Sequence, residues 1–193
     1  MFLFFDTETT GLPTKGQYKN PRHPLTPKLI ELGAVLCDEN GNVADEFVHI
    51  IKPYGFVIPT VASLVHGITT ARAEAEGIEL KIAFEKFLDF VERSHTLVAH
   101  NAAYDQLILD RVMLDLSYEG SFTIGRPILC TKELTTPICK LPSPWGSGFK
   151  WPNLQEAHRF FFNEDFTGAH GALADVKACA RVFFEGRARN LWV

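Results

Sequence analysis

The sequence predicts an α/β fold: a mixed five-stranded sheet flanked by helices. Three observations point there. Apolar runs of strand length open the chain, two of them joined around the turn signal Glu39-Asn40-Gly41-Asn42. Later segments alternate between short buried strands and stretches with helical periodicity. The helical stretches are apolar along one side and charged along the other, which is the pattern of helices laid on something flat. The first three strands are therefore expected to be antiparallel and the rest parallel.

Each element follows from its own residues. FLFF (2–5) is too short and too aromatic for a helix and reads as a buried central strand that delivers Asp6 near its end. The segment 13–28 holds four prolines and four Lys or Arg with no acid, so it is expected to be a positively charged loop. LIELGAVLCDENGNVADEFVHIIKP (29–53) gives two β-rich runs and a hairpin. Leu80, Phe84, Phe87, Leu88 and Val91 recur at helical spacing within 79–94. TLVAH (96–100) is a short buried strand, 104–116 resumes helical periodicity, and PILCT (127–131) supplies a fifth strand. Helices are expected over 154–163 and 171–190, with a Pro/Gly loop carrying Trp145 and Trp151 at 142–153.

At 193 residues the chain is most economically one domain, 1–193. Hydrophobic residues make up 46% and charged residues 22%, an ordinary globular composition. The net charge of −4 excludes a surface that is basic all over but leaves room for a local basic patch. Cys37, Cys130, Cys139 and Cys179 form no CxxC pair and suggest reduced thiols. A basic n-region is lacking before the opening run, and no apolar stretch approaches membrane-spanning length, so a soluble, cytoplasmic protein is expected.

Chemistry enters with Asp6 and Glu8. On a strand, residues two apart share a face and lie roughly 7 Å apart, so both carboxylates point the same way and something must offset their repulsion. Asp105, in the first turn of a helix after a buried strand, and the pair His170 and Asp175 complete a set of four acids and an imidazole. Taken singly, Asp105 reads as a complement to a helix dipole and Asp175 as an exposed helix acid. Five helical residues turn about 140° beyond a full revolution, so His170 and Asp175 share no face if both are helical. Gly171 offers a break, with His170 in the loop before the helix.

Taken together, DTETTGL (6–12), HNAAYD (100–105) and HGALAD (170–175) resemble the three motifs of the DnaQ-like, or DEDDh, 3′-to-5′ exonucleases. That family includes proofreading exonuclease subunits of bacterial DNA polymerases. VHGIT (65–69) adds to the resemblance, and the motifs stand in family order. In the sister class a tyrosine stands four residues before the last Asp; here that position is Gly171, so the histidine type is indicated.

The resemblance implies an RNase H-like fold and a two-metal site. Asp6, Glu8, Asp105 and Asp175 would hold two Mg²⁺ ions, with Mn²⁺ able to substitute, since oxygen-only ligands favour hard cations. Asp6 would be shared and Asp105 would act largely through water. His170 would be the general base. Thr9 and Thr10 would hold the terminal sugar by backbone groups, Leu12 would wedge against the last base, and His66 would lie near it. Tyr104 stands where the family more often has phenylalanine.

The expected reaction is hydrolysis of the 3′-terminal phosphodiester of single-stranded DNA, releasing nucleoside 5′-monophosphates. RNA trimming is the runner-up, because metal chemistry is indifferent to the sugar. A nuclease-like docking module of a replication complex is the reading from another class; such a module has no need of all four acids. Polymerase association is compatible with the family, although the chain stops soon after its last helix with no tail to tether it. Lys15, Lys19, Arg22 and Lys28 would form a basic lip, and Trp145 and Trp151, flanking Lys150, would stack on bases. Solvating charge and aromatic anchoring explain both equally well.

Overall fold

The computed structural model describes residues 1–13, 20–144 and 146–192. Its sheet has five strands in the order β3-β2-β1-β4-β5. They are β1 (Phe2–Thr9), β2 (Leu29–Cys37), β3 (Val43–Ile50), β4 (Thr96–Ala99) and β5 (Ile128–Cys130). β1 pairs antiparallel with β2, as β2 does with β3, while β4 runs parallel to both β1 and β5. The expected mixed sheet is what forms. The β2–β3 turn is built as its residues demand: Gly41 takes φ 87°, and the Asp38 carboxylate accepts the N–H groups of Asn40 and Asn42.

Seven helices complete the described residues: α1 (Thr60–His66), α2 (Thr70–Glu76), α3 (Leu80–Arg93), α4 (Ala102–Asp115), α5 (Thr131–Cys139), α6 (Leu154–Phe162) and α7 (Ala172–Ala188). Alternation along β1 divides the core. Leu3 and Phe5 join Phe84, Phe87, Ile108 and Val112 of α3 and α4 on one face. Phe2 and Phe4 meet Val176, Cys179 and Phe183 of α7 on the other. No described helix is long and apolar enough to cross a membrane.

Two differences from the sequence reading have physical causes. β1 continues past Phe5 to Thr9, because β2 pairs with it as far as Thr9↔Leu29 and carries the acids inside the ladder. α1, α2 and α5 lie where no element is expected. α5 contains Pro137 and three threonines, yet Thr135 and Thr136 turn their hydroxyls back onto the carbonyls of Thr131 and Lys132, both at 2.7 Å, so their competition with the backbone is spent inside the helix.

Candidate active site

The parity that sorts the core also builds the site. Asp6 and Glu8 continue the face of Phe2 and Phe4, so they point toward α7, the helix that bears Asp175. One oxygen from each of Asp6, Glu8 and Asp175 lies within 4.8 Å of the others. α7 comes this close because Gly33 stands opposite Asp6 on β2: a Cβ there would meet Ala172 at 2.8–2.9 Å.

The charges in this cluster are not compensated by the protein. Burial, then Asp105, Asp175 and the neighbouring glutamates, push the Asp6 carboxyl well above the usual range. Burial and the same neighbours raise Glu8 to about 8. Asp175 rises to about 6 through burial, held back by the backbone N–H and charge of His170. Asp175 Oδ1 is buried without a hydrogen-bond partner. Among the described residues no lysine or arginine pairs with these three acids. Converging oxygens with an orphaned lone pair are a donor set suited to hard divalent cations.

Asp105 reaches the same place from the opposite layer. It is 2% exposed, and its Oδ1 accepts the Thr7 N–H at 3.0 Å and the Thr7 hydroxyl at 2.7 Å. Thr7 points toward α4, as Leu3 and Phe5 do, so the bond ties the central strand β1 to α4. Burial raises the Asp105 carboxyl to about 7 even though Thr7 favours its charged form. Asp105 therefore borders the cluster of three without joining it.

Glu31 is an acid the sequence reading missed, although it is the lone charge in the run LIELGAVLC. It faces Glu8 across the β1–β2 ladder, and its Oε2 accepts the Ala172 N–H at 2.9 Å. Strand β2 thus caps α7 from outside the helix. Glu31→Ala is expected to leave that buried donor unpaired, costing about 1–3 kcal/mol, or about 2–4 °C of melting temperature per kcal/mol. Glu31→Gln keeps an acceptor and should lose less; calorimetry of both variants checks this, and equal losses would remove the capping role.

His170 sits at the mouth of the site, exposed, in the loop just before α7 as the spacing requires. Its φ of 67° turns the chain so that its backbone N–H donates to Asp175 Oδ2 at 3.3 Å, and Gly171 is the helix N-cap. Its ring has no hydrogen bond among the described residues.

The acids open into a cleft of about 510 Å³ lined also by Leu12, Tyr104, Lys132, Trp151 and His170. Leu12 is 78% exposed there. Thr9, Thr10 and His66 do not line it. Lys28 engages both the N–H and the hydroxyl of Thr10, at 3.0 and 2.9 Å. His66 is buried at the end of α1; its Nδ1 accepts the Ile68 N–H at 3.1 Å and its Nε2 lacks a partner. Tyr104 does more than replace a phenylalanine: its hydroxyl donates to the Gly11 carbonyl at 2.9 Å and meets the Thr9 hydroxyl, pinning the turn that presents Leu12.

The basic lip is only partly in view. Lys15, Lys19 and Trp145 lie outside the described residues. Arg22 is exposed, but Lys28 pairs with Asp115 at 3.0 Å and Lys150 pairs with Glu156. A larger hollow of about 740 Å³, between Lys28, Tyr54 and Arg111, lies away from the acids, and Asp115 neutralises both cations.

Comparison with known proteins agrees with this geometry. A family model described as Exonuclease (RNase T) matches residues 3–183. A DNA polymerase III subunit epsilon-like protein of Rhodobacter capsulatus is 31% identical over 94% of this chain and 23% of its own length. The DNA polymerase III subunit epsilon of Treponema pallidum is 27% identical over 94% of this chain and 74% of its own. The fold is that of E. coli exonuclease I, solved in complex with a dT13 oligonucleotide: TM-score 0.78 at 18% identity, covering 98% of this chain and 41% of that one. The chain thus spans about a quarter of the first relative and two fifths of exonuclease I. With its sheet, its converging acids and a family match over nearly its whole length, the chain belongs to the DnaQ-like 3′-to-5′ exonuclease family.

Proposed function

We propose that residues 1–193 act as one exonuclease domain that removes nucleotides from the 3′ end of single-stranded DNA, releasing nucleoside 5′-monophosphates with the help of two divalent cations. The observation that carries this reading is the convergence of Asp6, Glu8 and Asp175 within 4.8 Å at the floor of an open cleft, with Asp175 Oδ1 orphaned. Magnesium, or manganese in its place, supplies Lewis-acid polarisation of the phosphodiester and a more acidic water. Asp6, Glu8 and Asp175 would hold the ions, with Asp6 common to both, and Asp105, bound to Thr7, would contribute through water.

His170 accepts the proton of the attacking water. The water oxygen bonds to phosphorus, the bond to the 3′-oxygen of the neighbouring nucleotide breaks, and that oxygen takes a proton from solvent. Leu12, held by the Tyr104-pinned turn, lies against the terminal base with His66 near it, and backbone groups of Thr9 and Thr10, just outside the cleft lining, reach the terminal sugar. The oligonucleotide in the exonuclease I complex favours DNA as substrate. The relatives named as polymerase III epsilon proteins extend the proposal to association with a DNA polymerase, and the proposed setting is the cytoplasm.

The test incubates the protein with 5′-labelled single-stranded DNA and RNA of matched sequence, with Mg²⁺ or with EDTA. The expected result is a descending ladder on DNA that EDTA abolishes. A ladder that persists in EDTA would refute the metal site, a faster ladder on RNA would reassign the substrate, and no ladder at all would refute the nuclease.

A further inference from the structure

The acidic cleft contains one cation that its acids do not use. Lys132, at the start of α5, lines the same cleft as Asp6, Glu8, Asp105 and Asp175, yet it pairs with no acid among the described residues. Its ammonium is held instead by two neutral groups: it donates to Asn101 Oδ1 at 2.5 Å and lies 4.2 Å from the centre of the Trp151 ring. A lysine lining a cleft with four carboxylates gains by pairing with one of them, since an opposite charge at about 4 Å is worth about 1–4 kcal/mol. Here the surroundings keep it away.

Those surroundings are arranged at some expense. Asn101 occupies the left-handed region, φ 78°, at the N-cap of α4, and its side chain does not cap that helix. An asparagine at an N-cap normally satisfies one of the first helical N–H groups; this one holds Lys132. Trp151 is fixed through its neighbour, because His100 Nε2–H donates to the Pro152 carbonyl at 3.1 Å while Nδ1 accepts the Thr131 hydroxyl at 2.9 Å. Burial lowers His100 to about 4, so it adds no charge of its own. Trp151 keeps 65% of its surface exposed.

We propose that Lys132, braced between Asn101 and Trp151, binds a phosphodiester of the substrate strand on the 5′ side of the scissile bond. This deepens, and rests on, the reading of the cleft as a nucleic-acid site. The scissile phosphate belongs over Asp6, Glu8 and Asp175, and Lys132 is out of ion-pair reach of all three, so the phosphate it meets is another one. An ammonium held by neutral partners leaves its charge for an anion, and a phosphate contact of this kind positions a strand without reading its sequence.

The test measures binding of a fluorescent oligo-dT across a salt series, with Ca²⁺ in place of Mg²⁺, for the wild type, Lys132→Gln, Lys132→Met and Lys132→Arg. Both charge-removing variants are expected to weaken binding about tenfold, as for loss of a charged hydrogen bond, and to flatten the slope of log K against log salt by about 0.7. Lys132→Arg should restore the slope. A second readout compares KM for the oligonucleotide with KM for thymidine 5′-p-nitrophenyl phosphate, which carries only the scissile phosphate; the increase should be larger for the oligonucleotide. An undiminished salt slope in both variants, or equal KM increases on the two substrates, would overturn the proposal. Binding is read apart from turnover, so a chain that cleaves nothing but shows the Lys132-dependent slope refutes the nuclease and keeps the phosphate contact, whereas turnover with an undiminished slope does the reverse.

Discussion

Replacing His170 with alanine is expected to lower kcat on single-stranded DNA by about 10²–10⁴, the usual contribution of a positioned general base. The geometry makes this variant unusually clean. The hydrogen bond His170 gives Asp175 comes from its backbone N–H, at 3.3 Å, and survives the loss of the ring; only the influence of the ring's charge goes. The ring itself has no hydrogen bond among the described residues and stands exposed at the mouth of the cleft, so its removal exposes no core and unpairs nothing. Alanine is strained at a φ of 67°, which is why His170→Asn belongs beside it: asparagine tolerates the left-handed region and cannot serve as the base. Both variants should retain the metal-induced rise in melting temperature while losing turnover. Unchanged kcat in His170→Asn would remove the histidine from the chemistry; a loss in alanine alone would reduce its role to backbone conformation.

The acids were legible in the sequence for a reason that the structure makes plain. Asp6 and Glu8 announce themselves by strand parity, and the break at Gly171 separates the loop-borne imidazole from the helix-borne Asp175. Local periodicity carries that much. Glu31 and Lys132 were not legible in the same way, because their meaning lies across the fold: Glu31 caps a helix 141 positions further along the chain, and Lys132 is held by residues from two other segments. Trp151 and Lys150 looked like a unit by adjacency, yet Lys150 turns to Glu156 and the ammonium over the Trp151 ring comes from Lys132. The short helices were hidden too. α1 and α2 are each seven residues long, too brief to show periodicity, and α5 looks like a loop by composition until its hydroxyls are seen bonded to its own carbonyls.

Removing divalent metal should make the protein's stability fall as pH rises, the opposite of ordinary acid denaturation. In the metal-free fold, burial and mutual repulsion raise Glu8 from 4.5 to about 8, Asp105 from 3.8 to about 7 and Asp175 from 3.8 to about 6. A carboxyl with a raised native pKa holds its proton in the folded chain over a range where the unfolded chain has released it. The native state then binds more protons than the unfolded state, and stability declines with pH. The penalty is absent below about pH 4, grows through the interval set by those shifts, and is fully present above about pH 8. Divalent cations bound by the same oxygens replace the protons, so added Mg²⁺ should raise the melting temperature more at pH 8 than at pH 5. Each kcal/mol recovered is worth about 2–4 °C in a chain of this size. Asp6→Asn sharpens the test, because it deletes a carboxyl that burial and the neighbouring acids push well above its usual range. That variant should melt higher than the wild type in EDTA at pH 8, gain little from Mg²⁺, and cleave nothing. A metal-free protein whose melting temperature rises from pH 5 to pH 8, or an Asp6→Asn variant that still gains as much from Mg²⁺ as the wild type, would mean that the three carboxylates do not share a cation.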